Sequence, residues 1–166
     1  MKAKKLARLA LLTAVALIIF IIELQIPNII PIPGVKLGLA NIVTVYAVYK
    51  YSAKETAAIV ILRVVLGSIF GGNIAAIMYS MAGALLCLAG MLLIKRIVPM
   101  NFIWLSSILG AILHNTGQMI VAVLVMRSFA VISVYPFLIV SGCIAGAFTG
   151  LCAQFLIKRG SLEKTD

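Results

Sequence analysis

Six stretches of the chain are almost continuously apolar, at about Leu6–Ile26, Leu37–Tyr49, Thr56–Phe70, Ile74–Ile94, Phe102–Met126 and Tyr135–Ile157. A membrane-crossing helix takes roughly 20 apolar residues, with a range of about 17–25. The second and third stretches are shorter than that. They read either as one irregular crossing from Leu37 to Phe70, giving five spans, or as two short helices joined by a tight turn, giving six. Lys50, Lys54 and Glu55 interrupt the region, which favours the turn. The pattern therefore predicts a single all-α domain over residues 1–166, a bundle of six transmembrane helices. The opening has the basic start and apolar run of a signal peptide. Its apolar run continues through Glu23 with no small-residue cleavage site after it, so a retained first span is expected.

Composition narrows the class. The chain is 64% hydrophobic and 11% charged, with a mean hydropathy of +1.22. A soluble domain carries roughly a quarter charged residues, so water-soluble and disordered readings are excluded. A net charge of +10 would suit nucleic acid if it formed a basic stripe with interleaved aromatics. It falls instead in small clusters between apolar runs, and no nucleic-acid partner is expected. Cys87, Cys143 and Cys152 lie inside apolar runs without metal-ligand spacing and read as small packing residues.

The clusters carry topological information. With both termini in the cytoplasm, Lys2, Lys4, Lys5, Arg8, Lys50, Lys54, Lys95, Arg96, Lys158, Arg159 and Lys164 all fall inside. Lys36 and Arg127 fall outside, and Arg63 falls within a span. That asymmetry follows the positive-inside rule. It supports six spans and places a multi-pass protein in the lipid bilayer of the bacterial plasma membrane.

On that topology the polar groups inside the spans gather in the outer half: Glu23, Asn41, Arg63, His114, Asn115 and Gln118, with Asn73 in the outer turn. Ionisable groups at membrane depth are unfavourable by several kcal/mol and normally face the bundle or a wet cavity. His114 and Gln118, four residues apart, share a helix face, and Asn115 is turned about 100° from it. The cluster reads either as a set of interhelical hydrogen bonds or as a binding site. Arg63 either pairs with Glu23 or offers its planar fork to an anionic group on a ligand. The connection IPNIIPIPGVKLG, with Pro31, Pro33, Gly34 and Lys36, is stiffened by proline and largely apolar. It reads as a lid over an outward cavity, or as a tight connector on the membrane surface.

Two lines of small residues complete the pattern. Gly142, Gly146 and Gly150 recur every four residues, while Ala10 and Ala14 stand four apart and Ala3 and Ala7 extend their line. Such faces allow close helix approach in lipid. The glycine line is expected to pack inside the bundle. The alanine line is either internal or an external docking face. Catalytic signatures are missing: Asp166 is the one aspartate, His114 the one histidine, and no phosphate-cradling glycine loop is present. Neither enzyme activity, a metal nor a cofactor is expected.

The motifs PGVKLGLANIVTVYA (33–47), LRVVLGSIFGG (62–72) and HNTGQ (114–118) together resemble the Gx transporter family, whose members are often labelled component I of heptaprenyl diphosphate synthase. The likeness runs over nearly the whole chain and extends to the substrate-binding S components of energy-coupling-factor transporters. It implies a six-helix subunit that captures a vitamin-like small molecule from outside and joins a membrane coupling subunit carrying two ATPases. It further implies that Ala10 and Ala14 dock the coupling subunit, and that the ligand sits in the outer half under the first loop. The synthase label leaves an isoprenoid or quinone-related cargo, or a non-catalytic role in prenyl diphosphate synthesis, as alternatives.

Overall fold

The computed structural model describes residues 3–25, 38–72 and 76–162. They form six α-helices: α1 Ala3–Gln25, α2 Asn41–Lys50, α3 Ala53–Phe70, α4 Ala76–Ile94, α5 Ile103–Met126 and α6 Tyr135–Leu162. Short 3₁₀ turns at Met100–Phe102 and Phe129–Val134 lead into α5 and α6. No strand occurs among the described residues.

The helix boundaries have local causes. Between α2 and α3 the chain turns over two residues, as the charges at Lys50, Lys54 and Glu55 suggested. Ser52 and Glu55 form a capping box there, the Glu55 carboxylate accepting from the Ser52 N–H at 3.1 Å, which satisfies two otherwise orphan donors. The second apolar stretch starts at Leu37, but its helix starts only at Asn41. Gly38 has φ +67°, a left-handed conformation that glycine adopts freely, and residues 39–40 turn into the helix. At the far end α6 runs past Ile157 through Lys158 and Arg159, an extension into polar sequence to which hydropathy is blind.

α1, α4, α5 and α6 are long and apolar enough to cross a membrane, which is consistent with a multi-pass membrane protein. α2, at 10 residues, is about 15 Å long, half the thickness of a hydrocarbon core. α3 carries Lys54, Glu55 and Arg63 within its 18 residues. The six-helix count of the sequence is thus present, with four helices that qualify as spans on their own.

α5 is central and packs along α4 on one side and α6 on the other. Small residues set those approaches. A Cβ at Gly117 would stand 2.7 Å from the Ala82 carbonyl oxygen, and one at Gly83 2.7 Å from that of His114. On α6, Cβ atoms at Gly142, Gly146 and Gly150 would collide with Asn115, Ile108 and Trp104 of α5. The glycine line is an internal packing surface, as its spacing indicated. α1 packs on α3 and α2 instead, burying Leu9 and Ala16 against Val43, Ala47 and Ile59. Large aliphatics such as Leu11, Leu93, Leu124 and Ile144 remain exposed around the periphery, the arrangement expected where the solvent is lipid.

The basic clusters share one end. Lys5 of α1 forms an ion pair with Glu55 of α3. Lys95, just after α4, donates to the Val48 carbonyl of α2 at 2.6 Å and lies over the Tyr49 ring. Val48 in turn packs with Ile103 of α5 and Ile157 of α6, one residue before Lys158. Four clusters separated in sequence therefore converge on one face of the bundle.

Candidate binding site

The opposite end holds the polar groups, starting where α1 stops and α2 begins. Glu23, two residues before the end of α1, is buried, and its carboxylate accepts the Gly38 N–H at 2.5 Å. One bond thus ties together the two ends of the 26–37 connection. Three residues on, Asn41 opens α2, and its side-chain oxygen accepts from Arg63 Nη1 at 3.1 Å. Arg63 is 7% exposed, with Glu23, Cys87 and His114 within electrostatic range. Asn41 takes the hydrogen bond, however. Among the described residues Lys5–Glu55 is the one ion pair, so Arg63 and Glu23 are not in direct contact. The guanidinium is anchored through an amide, with its charge offset at longer range.

His114 and Gln118 do lie on one face of α5. The His114 ring and the Gln118 stem both meet α4 at Gly83: a Cβ there would stand 3.1 Å from His114 Cε1 and 2.9 Å from Gln118 Cγ. The absent side chain of Gly83 is what leaves space for them. Asn115 points elsewhere, its amide nitrogen donating to the Leu138 carbonyl of α6 at 2.6 Å. One turn of α5 therefore addresses two neighbouring helices. Nearby, the Thr116 and Tyr135 hydroxyls meet at 2.6 Å.

Between these groups and the basic end lies an interior cavity of about 20 Å³, lined by Asn41, Thr44, Cys87, Met91, Ser107 and Thr149 among others. That is room for about one water molecule, far below the roughly 300–1,000 Å³ of a small-molecule pocket. Asn41 belongs to both the cavity and the Arg63 pair. Glu23, Arg63, His114, Asn115 and Gln118 do not line the cavity. Asn73 and the expected lid residues Pro31, Pro33, Gly34 and Lys36 lie outside the described residues.

The cavity also exposes groups that sequence reasoning passed over. Ser107 and Thr149 share a hydrogen bond at 3.1 Å between α5 and α6. Thr149 also donates to the Ala145 carbonyl of its own helix at 2.9 Å. Hydroxyls satisfied in this way sit in apolar helices without disturbing the hydrophobic pattern. The nearest signal was the glycine line itself, since Thr149 adjoins Gly150 and faces the same helix.

The small-residue line of α1 has the opposite fate to that of α6. Ala3, Ala7, Ala10 and Ala14 are exposed, while Leu9, Thr13 and Ala16 are buried on the other side of the helix. Internal packing, one of the two readings of that line, does not occur.

The family model described as "Heptaprenyl diphosphate synthase component I" matches residues 12–156, a stretch that takes in Glu23, Asn41, Arg63 and the 114–118 segment. No curated protein and no solved structure matches this sequence.

Proposed function

Because this chain belongs to the heptaprenyl diphosphate synthase component I family and buries an amide-anchored arginine near the Glu23–Gly38 bond between α1 and α2, we propose that it is the substrate-capturing membrane subunit of an ATP-driven importer. In this reading α2 and α3 complete six segments with both termini on the cytoplasmic side, as in the S components of energy-coupling-factor transporters. The 26–37 connection is the outer lid, and the polar groups below it receive a small vitamin-like or isoprenoid-related molecule.

The observation that carries the proposal is the chain Glu23–Gly38, then Asn41–Arg63. It couples the α1–α2 junction to a buried cation through three residues of backbone. A ligand with an anionic group would compete with Asn41 for the guanidinium, and Asn41 also reaches the cavity. His114 and Gln118 would supply neutral hydrogen bonds from α5.

The exposed alanine line supports a partner. Small side chains on an outward helix face let a second transmembrane helix approach closely. The partner in this reading is a coupling subunit with two ATPases, since no nucleotide-binding loop is present in this sequence. The family description favours a second reading, a non-catalytic membrane subunit assisting prenyl diphosphate synthesis. Catalysis by this chain is not part of either: Glu23 and Glu55 stand at opposite ends of the bundle, and prenyl-transfer chemistry groups its carboxylates around Mg²⁺.

Thermal-shift and native mass-spectrometry screens of small metabolites against the purified protein test the first reading. A ligand whose binding is lost in Arg63→Gln, together with partner association lost in Ala10→Leu, supports it. No ligand, and association unaffected by Ala10→Leu, defeats it. Prenyl-chain synthesis by a soluble synthase subunit that depends on this chain would establish the second reading instead.

A further inference from the structure

The basic end carries a second and much larger cavity, of about 540 Å³, open between the first turns of α1 and the α2–α3 turn. Lys4, Lys5, Arg8, Lys50, Ser52 and Glu55 line it. The single carboxylate is already committed, pairing with Lys5 and accepting from the Ser52 N–H. Lys4, Arg8 and Lys50 thus converge on one cleft with no acidic partner among the described residues.

The surface above the cleft is equally specific. Starting from Lys4 and Arg8, steps of alternately three and four residues reach Leu11, Val15, Ile18 and Ile22, one continuous face of α1. All six are exposed. This face is separate from the alanine line and from the buried Leu9–Thr13–Ala16 side. A compact anionic head fits its lower end and a long aliphatic chain fits the rest.

We propose that the cleft holds the phosphate headgroup of an anionic phospholipid, with an acyl chain lying along Leu11, Val15, Ile18 and Ile22. Arginine matches phosphate oxygens in a two-pronged fork, and lysine supplies point charges beside it. A free phosphate compound shares the headgroup chemistry but makes no use of the aliphatic face. Bound there, the lipid bridges α1 to the α2–α3 turn, next to the Lys5–Glu55 pair that joins α1 to the first turn of α3.

The test is native mass spectrometry of the detergent-purified full chain titrated with phosphatidylglycerol or phosphatidylcholine, with inorganic diphosphate in a parallel arm. Phosphatidylglycerol is expected to be retained preferentially, and diphosphate to bind far more weakly than the lipid. Each cation near an anionic headgroup contributes roughly fivefold, so the triple variant Lys4→Gln, Arg8→Gln, Lys50→Gln should lose on the order of a hundredfold in affinity. Lys50→Gln alone removes one exposed charge and should lose about fivefold, which keeps the test readable if the triple variant misfolds. Lys158→Gln with Arg159→Gln, at the same end but outside the cleft, should retain the lipid. Equal losses in that control would mean only general attraction to charge and would overturn the proposal, as would diphosphate binding as tightly as the lipid.

Discussion

The carboxylate of Glu23 holds the backbone N–H of Gly38, fifteen residues further along the chain, at the point where α1 hands over to α2. Both partners are specific to the task. Glu23 is buried, so its side-chain oxygens need a donor in place. Gly38 occupies a left-handed backbone conformation that other residues adopt only with strain.

Removing either partner should loosen the connection before it unfolds the bundle. Glu23→Ala leaves the Gly38 N–H unpaired and should destabilise by about 1–3 kcal/mol. Gly38→Ala should be unfavourable by about 1–2 kcal/mol from backbone strain, with its new Cβ 3.1 Å from Asn41 Nδ2. Thermal melts in detergent measure the loss. Hydrogen exchange should show faster exchange at residue 38 than at α5 amides, and an unchanged rate there would contradict the clamp.

A second prediction concerns the approach of α4 to α5. Gly117→Ala should destabilise by roughly 1–3 kcal/mol, the usual range for overpacking, because the methyl would sit 2.7–2.9 Å from backbone atoms of Ala82 and Gly83. Gly160→Ala has nothing within 4 Å. It should be neutral or stabilising by up to about 1 kcal/mol through helix propensity. Opposite signs in the two melts are the expected result.

Asn115 offers a third. Its bond to the Leu138 carbonyl should contribute about 0.6–1.7 kcal/mol, the range for interhelical hydrogen bonds in membranes, so Asn115→Ala should lose that much. Should ligand affinity fall while the melt stays fixed, Asn115 would be a ligand contact and not a tie to α6.

A fourth is a pH dependence at the basic end. Hydrogen bonding to Lys5, and then to the Ser52 backbone, holds Glu55 below its ordinary value of 4.5. A carboxylate with a depressed folded-state pKa contributes stability above its unfolded value and loses it as pH falls through the folded value. The contribution should therefore be intact at neutral pH and fade below the ordinary carboxylate range. Glu55→Gln should flatten that part of the melting-temperature profile. Because the pair lies at the protein surface, with Lys5 exposed and Glu55 half-buried, the effect should also shrink in high salt.

Much of the architecture was legible because membrane helices are long and their basic ends are marked. The turn between α2 and α3 could be read from Lys50, Lys54 and Glu55, with the Ser52–Glu55 capping spacing beneath it. The shared face of His114 and Gln118 followed from helical period alone. What they face did not follow, because that depends on the register of α4 that places Gly83 opposite. The alanine and glycine lines look alike in one dimension, and only the packing of α1 on α2 and α3 sends one outward while the other is buried. Ser107, Thr149 and Thr44 were silent for a different reason: short hydroxyls can bond to their own helix, so a polar cavity wall can be written in residues that hydropathy ignores.

The glycine contacts of α5 have a consequence for how the protein can diversify. With backbone set almost against backbone at Gly83, Gly117, Gly146 and Gly150, the α4–α5 and α5–α6 seams have no room for a side chain at these four positions. Close contacts of this kind resist separation of α4, α5 and α6 more than displacement of α1, α2 and α3. Substitutions that add volume are correspondingly better tolerated on α1, α2 and α3, leaving α4, α5 and α6 as the rigid half of the bundle.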